Sequence, residues 1–359
     1  MKRTFKILLW LLGSLIGLIA LFLLSIWICS GNTPAGGTKI ARKGWAQIGG
    51  IRQGYFIRGE NERNPVILFL HGGPGSPELS MIQDTELEKH FTVCYWEQRG
   101  AGMTYSADTP PASMTTEQFV EDTRQMTDSL CQWYGVEKVY LMGHSWGSYL
   151  GIKTIEKHPE LYHAYIGIGQ VCNQLESERL AYDYIVNQAR QAGDTKTVEA
   201  FEAYDKYADD FPSNDYLLKV RSNSMNKYGV GIKHKDCSML DIAVGLLYYR
   251  GYTFMDKIHY LQGTMFSLNN MFHKIIKDNL FETSTRFEIP VYILQGKYDY
   301  QVSYELAKAY LDSIDAPQKK FFTFEQSAHS PNLEESKRFV EIVCSIAGKV
   351  ERSGEVIVS

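Results

Sequence analysis

The sequence predicts an α/β fold: a mostly parallel sheet with helices on both faces, carrying an inserted helical cap. Two observations lead there. From residue 45 onward, short runs of β-branched and aliphatic residues alternate with helical patterns. Between about Cys172 and Glu288 the strand signals vanish, Tyr, Asp, Lys and Met recur at helical spacing, and strands resume only at Val291. At 359 residues the chain exceeds one simple domain, and a core with an insertion accounts for the length without a second independent unit.

Taken in order, the chain begins with Lys2, Arg3 and Lys6. The run from Ile7 to Cys29 then carries no charge and is mostly Leu, Ile, Trp and Phe, about the length that spans a bilayer core. Residues 1–30 therefore read as a cytoplasmic basic end with a single transmembrane anchor. A secretory signal has a shorter apolar centre and a small-residue cleavage site, and no A-x-A-like site follows here, so retention is expected and secretion after cleavage is the alternative. Trp27 and Ile28 before Cys29 do not suit lipoprotein processing. The basic amino-terminal flank favours that end inside and the body exported, against some counterweight from Lys39, Arg42 and Lys43. Residues 31–44, opening with Gly-Asn-Thr-Pro-Ala-Gly-Gly-Thr, read as a linker.

The core is expected over residues 45–171 and 289–349, with the cap at 172–288 and a tail at 350–359. Strand-like runs occur at Trp45 to Ile48, Gly54 to Ile57, Val66 to Leu70, Phe91 to Trp96, Val139 to Met142, Tyr165 to Ile168, Val291 to Leu294 and Phe321 to Phe324. The first of these are joined too closely for crossovers and are expected to be antiparallel. One helix carries Phe119, Val120, Thr123, Met126, Leu130 and Trp133 and stops at Gly135, a C-terminal cap. Another runs from Leu333 through Phe339, Val340 and Val343 to Gly348. Ligands of such sheets bind outside the carboxyl ends of the strands, where the insertion can cover them.

The chemistry lies at those strand ends. Gly143-His144-Ser145-Trp146-Gly147 follows a buried strand and precedes an apolar helical run ending at His158-Pro159, so Ser145 sits on a strand-to-helix turn. The pentapeptide alone is a weak signal; at this junction it reads as a nucleophile elbow. His71-Gly72-Gly73-Pro74-Gly75 follows another strand, and its backbone N–H groups can face a developing oxyanion, with Gly73 the expected donor and the N–H of Trp146 its partner. A serine nucleophile needs an imidazole to take its proton and a carboxylate to orient the imidazole. Asp299 follows the strand at Val291 and His329 follows the strand at Phe321, giving the order Ser, Asp, His. The remaining histidines read as turn or surface residues, His71 and His144 among them.

Composition excludes other chemistry. The formal net charge of -4, without a dense Lys/Arg block, argues against nucleic acid and for a small substrate. Six cysteines without a C-x-x-C pair suggest neither a zinc site nor a disulfide scaffold, although an isolated pair could bridge in an exported domain. With no metal-ligand cluster, nucleotide loop or cofactor motif, a cofactor-free enzyme is expected.

The combination of His71 to Gly75, Trp96-Glu97-Gln98-Arg99-Gly100-Ala101-Gly102, Gly143 to Gly147, Asp299 and His329 resembles the proline iminopeptidase (prolyl aminopeptidase) group of α/β-hydrolases over about residues 45–349. The resemblance implies an α/β-hydrolase fold, a triad of Ser145, Asp299 and His329, an oxyanion hole at the Gly72-Gly73 loop and a helical cap after the sixth strand. Glu97 stands where the family usually has Asp, Thr104 where it often has Ser, and the insertion contains no tryptophan. The expected activity is a membrane-anchored serine aminopeptidase that releases an N-terminal residue, proline among the candidates, from short peptides. A carboxylic ester hydrolase of the same fold is the alternative, and a non-catalytic binding protein a remote one. An aspartate nucleophile of the dehalogenase or epoxide hydrolase kind is disfavoured, because Ser145 stands at the elbow. An exopeptidase must pair the substrate ammonium, because burying that charge alone costs several kcal/mol, and Glu176, Glu178 and Asp241 are the cap carboxylates expected to do so.

Overall fold

The computed structural model describes residues 2–31, 38–82, 86–235, 238–352 and 355–358. Among them, eight strands form one sheet: β1 Ile40–Ile48, β2 Ile51–Gly59, β3 Val66–Leu70, β4 Thr92–Trp96, β5 Val139–His144, β6 Tyr162–Ile168, β7 Val291–Gly296 and β8 Lys319–Phe324. Their order is β1-β2-β4-β3-β5-β6-β7-β8. β1 pairs antiparallel with β2, and β2 with β4; the other pairings are parallel. The strand order reverses around β3, so the turns after β3 and β5 lie side by side at a switch point, where this architecture opens a crevice.

Both faces of the sheet are covered, which is why its central strands read as continuous apolar runs. Along β3, Leu68 and Leu70 enter one buried cluster with Phe119, Leu130 and Leu150. Ile67 and Phe69 enter the other with Val93, Phe339 and Val343. The covering helices are α2 Leu87–His90, α3 Thr116–Tyr134, α4 Trp146–Lys157, and, after the insertion, α11 Tyr304–Ser313, α12 Pro331–Glu334 and α13 Ser336–Ile346. α3 starts where Thr115 accepts from Gln118 N and stops where Gly135 turns left-handed at φ 64°, the expected cap.

Between β6 and β7 the chain is helical: α5 Gln174–Gln191, α6 Thr195–Glu202, α7 Ser222–Lys227, α8 Met239–Tyr248, α9 Phe254–Lys277 and α10 Leu280–Thr283. Ala181, Ile185, Phe201, Phe211, Tyr216 and Met225 form its own apolar cluster. A widened helical turn, Tyr216–Arg221, leads directly into α7. α1, Lys2–Ile28, precedes the sheet, and its Thr4–Ile28 portion is long and apolar enough to cross a membrane; a signal sequence has the same features.

The boundaries depart from expectation at both ends. β1 begins at Ile40, so residues 40–44 of the expected linker are strand; only Ile40 and Ile48 of its nine residues are buried, which leaves little apolar pattern to read. Residues 32–37 of that linker, and Cys237, lie outside the described residues. The expected tail contains a hairpin, β9 Lys349–Arg352 paired with β10 Glu355–Val358.

Candidate active site

Ser145 lies between β5 and α4, which it caps with φ 55° and ψ −121°, and it is the one non-glycine residue with positive φ among the described residues. Such a conformation costs of order 1–3 kcal/mol and persists only where the surroundings enforce it. Here Ser145 N donates to Ile168 O at 2.9 Å, and Ser148 Oγ donates to Ser145 O at 2.6 Å. The flanking glycines permit the close approach. A Cβ at Gly143 would lie 2.2 Å from Gly147 O, and one at Gly147 would lie 2.0 Å from Leu70 O, the last residue of β3.

Asp299, fully buried in the turn after β7, has its carboxylate saturated. Oδ1 accepts from Gln301 N at 3.0 Å and Val302 N at 3.1 Å; Oδ2 accepts from Gln295 Nε2 at 2.8 Å and faces His329 Nδ1 at 2.9 Å. With every other bond of Asp299 made to a donor, the carboxylate holds a proton on Nδ1 and leaves Nε2 as the basic nitrogen. The loop that carries His329 after β8 is held by two carboxylates. Glu334 accepts from Ala328 N at 2.8 Å, and Glu335 from Gln326 N at 3.0 Å and Ser327 Oγ at 2.7 Å. The cap also holds it, through His329 N donating to Gly231 O at 3.2 Å.

A cavity of about 150 Å³ opens at Ser145, with Gly73 and Trp146 in its wall. Gly73 has φ 113°, and Trp146 lies in the first turn of α4, where backbone N–H groups have no carbonyl four residues back. Leu217, Phe272 and Ile275 of the insertion supply apolar wall, and Gln174, Arg221 and Gln301 the polar part. Pockets for drug-sized ligands run to roughly 300–1,000 Å³, so this one suits a small side chain or a short acyl group.

The expected cap carboxylates are not placed in that cavity. Glu178 lies behind its wall, fully buried, where Oε2 accepts from Arg221 Nε at 2.5 Å and Oε1 from Gln174 Nε2 at 2.9 Å, so its charge is already paired. Glu176 faces Arg179 at 3.4 Å on the half-exposed side of α5. Asp241 is exposed on α8 and lines a separate recess with Ser80 and Lys233. Among the described residues, those lining the Ser145 cavity include no carboxylate. Gln174 fills that position differently. Nε2 donates to both Glu178 and Gln301 O, at 2.9 and 2.8 Å, which fixes the amide orientation and leaves its buried Oε1 without a hydrogen-bond partner.

Sequence reading also missed a buried ion pair beneath the elbow. His144 Nδ1 faces Glu78 Oε1 at 2.6 Å and its Nε2 faces His329 O at 2.8 Å, so both ring nitrogens have acceptors and the ring is held as imidazolium. Burial opposes that charge, but the Glu78 carboxylate outweighs it and the His144 pKa is raised. Glu78 Oε1 also accepts from Gly72 N at 2.8 Å, so one pair ties the Gly72-Gly73 loop, the elbow and the His329 loop together. His71 has the opposite fate: burial lowers its pKa to about 4, and the neutral ring faces Gly72 O with Nδ1 while Nε2 accepts from Gln98 N at 3.2 Å. Gln98 in turn accepts from Trp146 Nε1 at 2.8 Å.

The two departures in the β4 loop have structural work. Glu97 is buried, accepts from Met103 N at 2.6 Å, and reaches the hydroxyl of Tyr252 in the insertion; burial pushes its pKa up to about 7. Thr104 Oγ1 donates to Glu97 O at 2.6 Å and accepts from Gly54 N at 2.8 Å.

Comparison with known proteins agrees with this architecture. Residues 65–336 match the family described as alpha/beta hydrolase fold. A probable aminopeptidase, YbaC of Bacillus subtilis (strain 168), is 33% identical over 296 residues, 81% of this chain and 92% of its own. A proline iminopeptidase of Clostridioides difficile (strain 630) is 24% identical over 322 residues, 84% of this chain and 96% of its own. The crystal structure of proline iminopeptidase from Mycobacterium smegmatis shares the fold at a TM-score of 0.59 and 17% identity, covering 85% of this chain and 97% of that one. With the sheet order, the turn at Ser145 and these matches in hand, the chain belongs to the α/β-hydrolase fold family and is a proline iminopeptidase-like member of it.

Proposed function

We propose that the chain is a membrane-anchored serine aminopeptidase that removes an N-terminal residue from short peptides. The observation that carries the reading is the buried Asp299–His329 pair, 2.9 Å apart, at the strand ends beside a strained Ser145 that opens a small cavity. Ser145 Oγ attacks the scissile carbonyl carbon while His329 Nε2 takes its proton, and the N–H groups of Gly73 and Trp146 receive the negative oxygen. His329 passes the proton to the departing amine as the C–N bond breaks. Water, deprotonated by His329, then attacks the acyl-enzyme and releases the amino acid. α1 stays uncleaved and holds the body at the membrane, its basic end inside.

A carboxylic ester hydrolase is the second reading, favoured by the lack of a carboxylate among the described residues lining the cavity. A panel of chromogenic aminoacyl amides, prolyl included, run beside acetate and butyrate esters separates the two. The aminopeptidase hydrolyses amides with a free amine and loses activity when that amine is acetylated. Ready cleavage of the esters with no turnover of any free-amine substrate replaces the peptidase reading with the esterase one.

A further inference from the structure

The insertion carries an apolar surface that neither the sheet nor the Ser145 cavity uses. On α8, Leu240, Val244 and Tyr248 repeat at every fourth residue beside Met239 and are 37–72% exposed. Asp241 is the one charged residue of that helix. On α9, Met255, Ile258, Leu261 and Met265 recur at three-to-four spacing and are 36–59% exposed. A surface helix ordinarily turns such a stripe inward, and a contiguous exposed one marks an interaction site.

What covers it is indicated by α1, whose carboxyl end is fastened to the turn between these two helices. Ser25 Oγ lies 3.0 Å from Tyr248 OH, Gly31 N donates to Tyr252 O at 2.8 Å, and Lys257 Nζ donates to Ser30 Oγ at 2.7 Å. Apart from the buried Ile26, the apolar side chains of α1 remain exposed towards that junction, Trp27 at 66% and Ile28 at 61%. A helix that leaves a bilayer there sets the α8–α9 turn at the level of the lipid headgroups, with Trp27 where aromatic residues favour the interface. The exposed stripes are thus continuous with the surface that lipid covers on α1.

We propose that α8 and α9 form a docking face that seats the insertion in the lipid interface, apolar side chains inward to the acyl boundary. The inference rests on the reading of α1 as a retained anchor. It also reaches the active site, because α9 runs on to put Phe272 and Ile275 in the cavity wall and is tied to the core by Ser267 Oγ donating to Gly100 O at 2.8 Å. The membrane then steadies the helix that walls the site.

Nitroxide accessibility on the full chain in phospholipid nanodiscs tests this. Single labels are placed by Leu240→Cys, Leu261→Cys, Leu15→Cys in α1 and Lys308→Cys on α11, in a background where Cys29, Cys131 and Cys237 are serine. Lipid-soluble oxygen should outcompete a water-soluble nickel chelate at Leu240, Leu261 and Leu15, with the ratio reversed at Lys308. Chelate access at Leu240 and Leu261 equal to that at Lys308, while Leu15 stays in lipid, overturns the docking face and leaves the anchor standing. Protection from both reagents at Leu240 and Leu261 overturns it in favour of a second copy of the chain. Chelate access at Leu15 as well overturns the anchor reading and the docking face with it.

Discussion

Replacing Glu97 by glutamine removes one buried ionisation and nothing of comparable shape. In the folded chain Glu97 is 2% exposed, and burial moves its pKa from 4.5 to about 7. Between those values the folded state holds a proton that the unfolded state has lost, so stability falls as pH rises through that window and levels off above about 7. At ~1.4 kcal/mol per pH unit, the interval from 4.5 to about 7 corresponds to a loss of about 3 kcal/mol. Glutamine keeps an acceptor for Met103 N and a polar group for Tyr252 OH, and does not titrate. Glu97→Gln should therefore exceed the wild type by about 1 kcal/mol or less near pH 5 and by about 3 kcal/mol at pH 8. Urea unfolding of the full chain in detergent, followed by tryptophan fluorescence at pH values from 5 to 8, reads the difference directly, because every other titrating group is common to both proteins. A difference that stays flat across that range, or a variant less stable at pH 8, refutes the reasoning. Glu97 joins the β4 loop to Tyr252, whose carbonyl accepts from Gly31 at the end of α1, so the same curve reports how the insertion is held to the core.

Other expected outcomes follow from single contacts. Asp299→Asn preserves the shape but not the Nδ1 proton of His329, and turnover should fall by on the order of 10⁴ with circular dichroism unchanged. Gly147→Ala puts a Cβ 2.0 Å from Leu70 O, against backbone that cannot yield without moving β3, and should lower stability by about 1–3 kcal/mol or more in a denaturant titration. Arg221→Met leaves the Glu178 carboxylate buried and unpaired, a loss of about 3–5 kcal/mol, most of which the double variant with Glu178→Gln should recover in a double-mutant cycle.

The central strands β3 to β7 were legible because the sheet there is buried on both faces, so each carries an apolar run bounded by polar or glycine-rich turns. Val66–Leu70 is the clearest case, read to the residue. The start of β1 was not legible, since seven of its nine residues are not buried and Ile40-Ala41 is followed by Arg42, Lys43 and Gly44. Ser145, Asp299 and His329 are expected as a set because each follows a strand-like run, and of that set the structure pairs Asp299 with His329. The pair beneath the elbow could not be read. Glu78, in the loop after β3, and His144, the last residue of β5, are 66 residues apart and meet only because β3 and β5 are neighbours. The cap was harder still: Arg221 meets Glu178 from 43 residues away, through a widened turn with no sequence signature. Sequence reading therefore offered Glu178 as a partner for the substrate amine and could not see the guanidinium that already engages it.

The central claim is that Ser145 is the nucleophile, and covalent labelling tests it most directly. The full chain is treated with a fluorophosphonate, digested, and the adduct located by peptide mass, with turnover of an aminoacyl amide followed in parallel. The account predicts one adduct on Ser145, loss of turnover in proportion to labelling, and neither labelling nor turnover in Ser145→Ala, whose rate loss approaches ~10⁶. An adduct elsewhere, or a Ser145→Ala variant that still labels and turns over, contradicts it.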